Sequence, residues 1–199
     1  DPFFMLCWSI DTHEPYRQPD DYNKEADPKY NGPVDGRGRP FSRVRNRRDL
    51  RQLEDLYDGS LRYQDEKLGE FLKALEERGV LDDTIVIVCG DHGEMFFEHG
   101  IAGHGKFPWE QELRVPLIMR GPQVLPQGKV FDSIVQLIDI APTLMDVLGF
   151  EPVKQFRGKS LRPVFEEQVK QLHEAVVLEV PFPFHREEIA RVVRTRNLE

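Results

Sequence analysis

Asp91 and His92 sit side by side between Gly90 and Gly93. A carboxylate and an imidazole form a ligand pair for a divalent cation. The flanking glycines let the backbone turn sharply and let a ligand come close. Two ligands are too few for a complete site, so others must come from elsewhere; a turn that merely opens a loop is the alternative. The stretch EHGIAGHGK then places His104 and Lys106 two residues apart on glycine-rich backbone. That combination suits an oxyanion, with lysine as a point charge and histidine as a donor or proton shuttle. The His99–His104 spacing is no zinc motif, because a loop lacks the helical face that HExxH uses; an exposed polar loop is the alternative. His13 follows an apolar run. His173 and His185 have no partner residues nearby in the sequence and read as ordinary surface or satisfied histidines. Phe182 and Phe184 read as core.

These residues must be positioned by strand ends and loops. Phe3 to Ile10 (FFMLCWSI) is too short for a helix with one buried face and reads as a buried strand leading into His13. Asp11 to Asn46 is polar and rich in Gly, Pro and Asp, a long loop with an arginine-rich part from Arg37 to Arg48 that reads as a solvated face. Asp49 to Arg78 reads as a long helix, with Leu53, Tyr57, Leu61, Leu68, Phe71 and Leu75 at mostly helical spacing. Gly59 is a point where it could bend, and Gly79 supplies a cap. Thr84 to Cys89 (TIVIVC) reads as a second buried strand, running into Asp91. Val115 to Met119 reads as a third, with Pro116 marking an edge or a start. Ser133 to Leu148 reads as a helix with Asp139 and Pro142 near a second start, closed by Gly149. A short helix is expected over Ser160 to Val169, and strands over Ala175 to Val180 and Ala190 to Val193. Alternating strands and helices point to an α/β fold with a mainly parallel sheet flanked by helices. In such sheets ligands bind beyond the carboxyl ends of the strands. If the first two strands are parallel neighbours, His13, Asp91 and His92 share one edge.

Composition narrows the classes. The 199 residues carry 27 Lys+Arg against 35 Asp+Glu, a net charge of −8, with 39% hydrophobic and 31% charged residues. An acidic chain repels phosphate backbones, which argues against nucleic acid as a partner. No apolar run approaches the ~20 residues of a membrane span. Cys7 and Cys89 cannot build a disulfide framework and read as buried free thiols. Asp1 stands where a Met would open a complete reading frame, so either a segment was removed or the chain is a piece of a longer protein.

The segment from Tyr57 to Pro122, containing CGDHGEMFFEHGIAGHGK and RVPLIMRGP, resembles the sulfatase family of the alkaline-phosphatase superfamily. FFMLCWSIDTHEPY, SIVQLIDIAPTLMDVLG and RGKSLRPVF resemble further family motifs in the same order. The resemblance implies an alkaline-phosphatase-like fold, here incomplete, with residues 1–150 as the core holding the metal and anion site and 151–199 as a closing segment. It implies metal-dependent hydrolysis of a sulfate ester. Relatives act on phosphodiesters or phosphonates, or transfer phosphoethanolamine. Asp91 and His92 match metal ligands, for calcium first, with manganese or zinc as alternatives. His13 matches a histidine that contacts sulfate and assists the leaving group. The family lysine that contacts sulfate maps to either His104 or Lys106, and both are carried.

The departure is the nucleophile. The family's formylglycine arises from Cys or Ser in C-x-P-S-R or a close variant, and neither Cys7 nor Cys89 stands in such a motif. The family's early Asp-Asp metal pair is absent too. The chain therefore reads as the C-terminal part of a sulfatase-like enzyme, with formylglycine expected upstream and the missing N-terminal segment as its partner. A non-catalytic binding fragment is the contrasting reading. Sheet edges and apolar faces that the missing strands would cover favour association, a homo-oligomer included.

Overall fold

The computed structural model describes residues 2–105, 107–181 and 189–195. In chain order its α-helices and strands are helix α1 (Arg47–Glu77), strands β1 (Val86–Cys89), β2 (Met95–Phe96) and β3 (Ala102–Gly103), helix α2 (Glu110–Leu113), strand β4 (Leu117–Arg120), helices α3 (Ile140–Val147) and α4 (Arg162–Phe165), and strands β5 (Ala175–Pro181) and β6 (Ile189–Thr195), with short 3-10 turns at Asp20–Tyr22, Pro40–Arg43, Leu81–Asp83 and Leu137–Asp139. They fall into two compact units, one of residues 1–81 with 96–102 and one of residues 82–95 with 103–199.

The first unit is built on α1. The Asn46 side chain caps it, accepting from the N–H groups of Arg48 and Asp49 at 2.8 and 3.1 Å, which satisfies two of the donors a helix start leaves open. The helix ends where Gly79 takes φ +67°. There the Val80 N–H reaches the Leu75 carbonyl and the Gly79 N–H the Glu76 carbonyl, the paired bonds of a Schellman end. Gly59 does not break the helix. It is buried, and a Cβ there would lie 2.5 Å from Asn23 Oδ1, so its bareness lets the preceding loop lie against α1.

That loop is ordered by its aromatic residues. Tyr16 and Val34 are buried with Leu53 and Leu56 of α1, and Tyr30, Phe41, Val44, Tyr57 and Phe96 pack around them. The Tyr16 ring meets Tyr57 edge-on at 5.7 Å. Buried Asp49 accepts from the Tyr30 hydroxyl, the Arg45 N–H and the Asn46 amide, so one carboxylate ties loop to helix. The apolar run before the loop departs from expectation. Residues 3–10 form no strand, and their side chains are exposed. A short apolar segment gains burial only from a neighbouring strand or helix face, and among the described residues none pairs with it.

The second unit holds the β1–β4 ladder. The pairing is antiparallel, with Val86 opposite Arg120 and Cys89 opposite Leu117. Pro116 lies just before β4, where it displaces no ladder donor, and its carbonyl accepts the Gly90 N–H at 3.3 Å. β5 and β6 also pair antiparallel, with Ala175 opposite Thr195. A mainly parallel sheet is therefore not what the described residues form. Sheet direction is set by which strands become neighbours, and the run expected to lie parallel to β1 forms no strand. The condition for His13 to share a sheet edge with Asp91 is not met among these residues. Cys7 and Cys89 are both free and exposed rather than buried, since residues 3–10 are uncovered and Cys89 is the exposed end of β1.

A buried polar hub organises the rest of this unit. Asp139 is fully buried and accepts from the N–H groups of Gln136 and Lys159, both at 2.8 Å. Its Oδ2 also faces His173 Nε2 at 2.9 Å. Thr143 Oγ1 donates to the Asp139 carbonyl and accepts the Leu161 N–H. The helix expected from Ser133 is thus delayed: the Asp139 carboxylate holds Gln136 in extended backbone, a 3-10 turn begins at Leu137, and it runs into α3 at Ile140. His173 is a satisfied buried histidine. His185, Phe182 and Phe184 lie outside the described residues.

Candidate functional site

Within the second unit, two loops bring Asp91, His92 and His104 together. The first leaves β1 through Gly90 and carries Asp91, His92 and Glu94. Asp91 is exposed, and its Oδ1 accepts the His92 N–H at 3.0 Å. His92 Nδ1 lies 2.7 Å from the Gly93 carbonyl. A carbonyl only accepts, so Nδ1 carries the proton and Nε2 of the neutral ring is left as a lone-pair donor. His92 Nε2 and Asp91 Oδ1 are 3.9 Å apart, close enough for both to reach one ion.

The second loop carries His104. Its ring stacks on that of His92, with centroids 4.1 Å apart and planes 29° from parallel. His104 Nδ1 meets Glu94 Oε1 at 3.0 Å, and the Glu94 side chain is only 6% exposed. A desolvated carboxylate accepting Nδ1–H orients the imidazole and fixes which nitrogen faces a ligand. Lys106 lies outside the described residues. His13 belongs to the first unit, where its Nδ1 donates to the Glu14 carbonyl at 2.6 Å. Glu98 serves its own turn, accepting the Phe96 N–H at 2.6 Å.

Asp91 and His92 supply one oxygen and one nitrogen from a single exposed turn, a chemically suitable pair for a divalent cation. No cluster of three or more His, Cys, Asp or Glu able to hold a metal occurs among the described residues, so further ligands would come from elsewhere.

Glu94 and Glu112 were not legible as site residues. Glu94 follows the Asp-His pair closely enough to have been suspected. Glu112 of α2, whose Oε2 accepts the Gly105 N–H at 2.6 Å, carries no sequence signal, because this contact joins the helix to the loop of His104.

Comparison with known proteins settles the family. The sulfatase family model matches residues 1–150. The chain belongs to the sulfatase family. It is 33% identical over 187 residues to an arylsulfatase of Clostridium perfringens (strain 13 / Type A), covering 84% of this chain and 38% of that protein. It is 32% identical over 136 residues to human arylsulfatase K, covering 68% of this chain and 25% of the relative. A protein solved in complex with its substrate D-glucosamine-2-N,6-O-disulfate matches with a TM-score of 0.65 at 29% identity, over 77% of this chain and 33% of that one. A phosphonate monoester hydrolase from Silicibacter pomeroyi matches with a TM-score of 0.65 at 28% identity, over 72% of this chain and 30% of its own. The fold shared with the solved sulfatases is the alkaline-phosphatase-like one. This sulfatase-family chain thus spans well under half the length of these relatives. Among its described residues no helix is long and apolar enough to cross a membrane.

Proposed function

We propose that the chain supplies the cation- and anion-binding part of a sulfuric ester hydrolase. The observation that carries this reading is the stacking of His92 on His104 beside Asp91, in a chain of the sulfatase family. Asp91 and His92 would hold a divalent cation, calcium first and manganese or zinc as alternatives. When bound, that ion would neutralise the nonbridging oxygens of the ester. Asp91 contributes charge, and the Gly93 carbonyl keeps the His92 Nε2 lone pair available. His104, oriented by Glu94, would donate from Nε2 to a sulfate oxygen as the imidazolium, in which both ring nitrogens carry protons, or Lys106 would take that contact as a point charge. His13, with Nδ1 committed to the Glu14 carbonyl, would deliver a proton from Nε2 to the leaving oxygen as the S–O bond breaks. The formylglycine nucleophile would lie in a segment outside these residues. Residues 1–150 would form the core of the catalytic domain and 151–199 its closing segment, within a complete sheet that is mainly parallel.

The match to a phosphonate monoester hydrolase supports a second reading, hydrolysis of a phosphonate or phosphate ester at the same cation site. One experiment separates the two. The reading frame upstream of Asp1 is sequenced, and the encoded protein is assayed on an aryl sulfate and on a phosphonate monoester. A C-x-P-S-R or S-x-P-S-R motif with preferred turnover of the sulfate supports the sulfatase. Preferred turnover of the phosphonate supports the second reading. No turnover of either would leave a non-catalytic binding fragment.

A further inference from the structure

Helix α2 is only four residues long, yet it touches both loops of the candidate site. The Glu112 carbonyl accepts the Gly93 N–H at 2.7 Å. The Glu112 side chain turns to the other loop, and its Oε2 accepts the Gly105 N–H at 2.6 Å. One residue therefore grips the backbone next to His92 and the backbone next to His104. The approach at Gly93 is so close that a Cβ there would overlap the Gln111 carbonyl oxygen, so only glycine admits the first grip. Glu112 is a buried charged residue, and its Oε1 is buried without a hydrogen-bond partner among the described residues. A buried unpartnered carboxylate oxygen is costly, and nothing in the local fold of α2 requires an acid there. An apolar residue would suit a buried position of a short helix better. The acid is explained by what its other oxygen holds.

We propose that Glu112 is a positioning residue that sets the His92–His104 stack by clamping the two loops to α2, its backbone holding the first and its carboxylate the second. It touches neither substrate nor metal in this scheme; it acts through Gly105 on His104. The proposal rests on the reading of the His92 and His104 loops as one anion and cation site, but the clamp itself is a structural claim that can be read without any turnover.

The test uses three variants. Glu112→Gln keeps an oxygen of the right length to accept the Gly105 N–H. Glu112→Asp keeps the charge but is one methylene too short. Glu112→Ala removes the acceptor. In the chain labelled with nitrogen-15 histidine, the ring signals of His92 and His104 report their mutual ring-current shift and the Nδ1–H bond to Glu94. The expected result is that Glu112→Gln preserves both signatures, while Glu112→Asp and Glu112→Ala lose the mutual shift although the β1–β4 amide signals stay in place. Should Glu112→Ala fail to fold, Glu112→Asp carries the same comparison. Unchanged ring signals in Glu112→Asp, or loss of the stack in Glu112→Gln as well, would overturn the clamp. In the protein with its upstream segment, kcat/KM for an aryl sulfate should fall by roughly ten- to a hundredfold in Glu112→Asp, the usual effect of losing an orienting contact, and should recover in Glu112→Gln. A wild type that turns over no sulfate ester would defeat the sulfatase reading while the ring signals still decide the clamp.

Discussion

The imidazoles of His92 and His104 lie face to face at 4.1 Å although twelve positions separate them in the chain. Each ring has its Nδ1 engaged, His92 with the Gly93 carbonyl and His104 with Glu94. Two rings whose orientation is set independently therefore converge, and Asp91 stands at the edge of the pair. Preset orientation is what a site for a charged group needs, because it avoids reorganising dipoles when the ligand arrives.

Asp91→Asn removes the charge of the proposed ligand while keeping its shape. In the full-length protein, calcium affinity measured by calorimetry should fall by roughly tenfold or more if Asp91 is a ligand, since ligand charge count is a main determinant of affinity at such sites. Affinity equal to wild type would remove Asp91 from the metal site.

The Asp139 hub makes a stability prediction. Its carboxylate serves Gln136, Lys159 and His173 from a fully buried position. Asp139→Ala strands all three groups and should destabilise the second unit by about 3 kcal/mol or more, as for other buried polar pairs that lose one partner. Denaturant melts followed by amide signals of α3 would show it. A loss under about 1 kcal/mol, the size of one ordinary hydrogen bond, would mean that the hub is not cooperative.

Gly59→Ala should reverse the usual rule. In an exposed helix interior, exchanging Gly for Ala gains about 1 kcal/mol. Here the new methyl would meet Asn23 Oδ1 at 2.5 Å and Gln18 Nε2 at 2.8 Å. The melting temperature should fall, and a rise would show that the loop is not seated against α1 as described.

What could be read in the sequence was what is encoded locally. The stripe from Leu53 to Leu75 and the glycine after it announce α1, because periodicity and a cap belong to neighbouring residues. Asp91 and His92 stood out because glycines flank them at the end of a β-branched run. The exposure of residues 3–10 and the antiparallel sense of β1 and β4 were not legible. Both depend on which segments become neighbours, and an apolar run looks the same whether or not a strand covers it. Glu112 was missed for the same reason, since its bonds to Gly93 and Gly105 join segments 19 and 7 positions away.

Acid titration should reveal a repulsive patch on α1. The Asp55 carboxyl is held above its ordinary value by desolvation first and by Asp58 and Glu25 next, with Arg51 opposing. A raised carboxyl pKa means that the folded state holds the proton more tightly than the unfolded chain. Stability from this group is thus greatest below the ordinary carboxylate range and falls as pH rises through it toward the raised value. Asp55→Asn should raise the melting temperature at pH 7 and leave it nearly unchanged at pH 3. An equal gain at both values would assign the effect to packing instead.

The exposed apolar run makes the last prediction. Phe4 is 84% exposed, Trp8 75% and Ile10 74%, and the backbone of residues 3–10 forms no ladder. Exposed apolar side chains on backbone that belongs to no ladder favour association between chains. The 199-residue chain should associate at micromolar concentration, and light scattering should show a mass above 23.2 kDa. Placing charges at Phe4→Lys and Trp8→Lys should return it toward the monomer, because a charged edge resists pairing. A monodisperse monomer before any substitution would show that this run is covered in solution. Association that persists in the double variant would move the sticky surface elsewhere, to the half-exposed faces of β1 and β4, where Ile118 is 63% exposed.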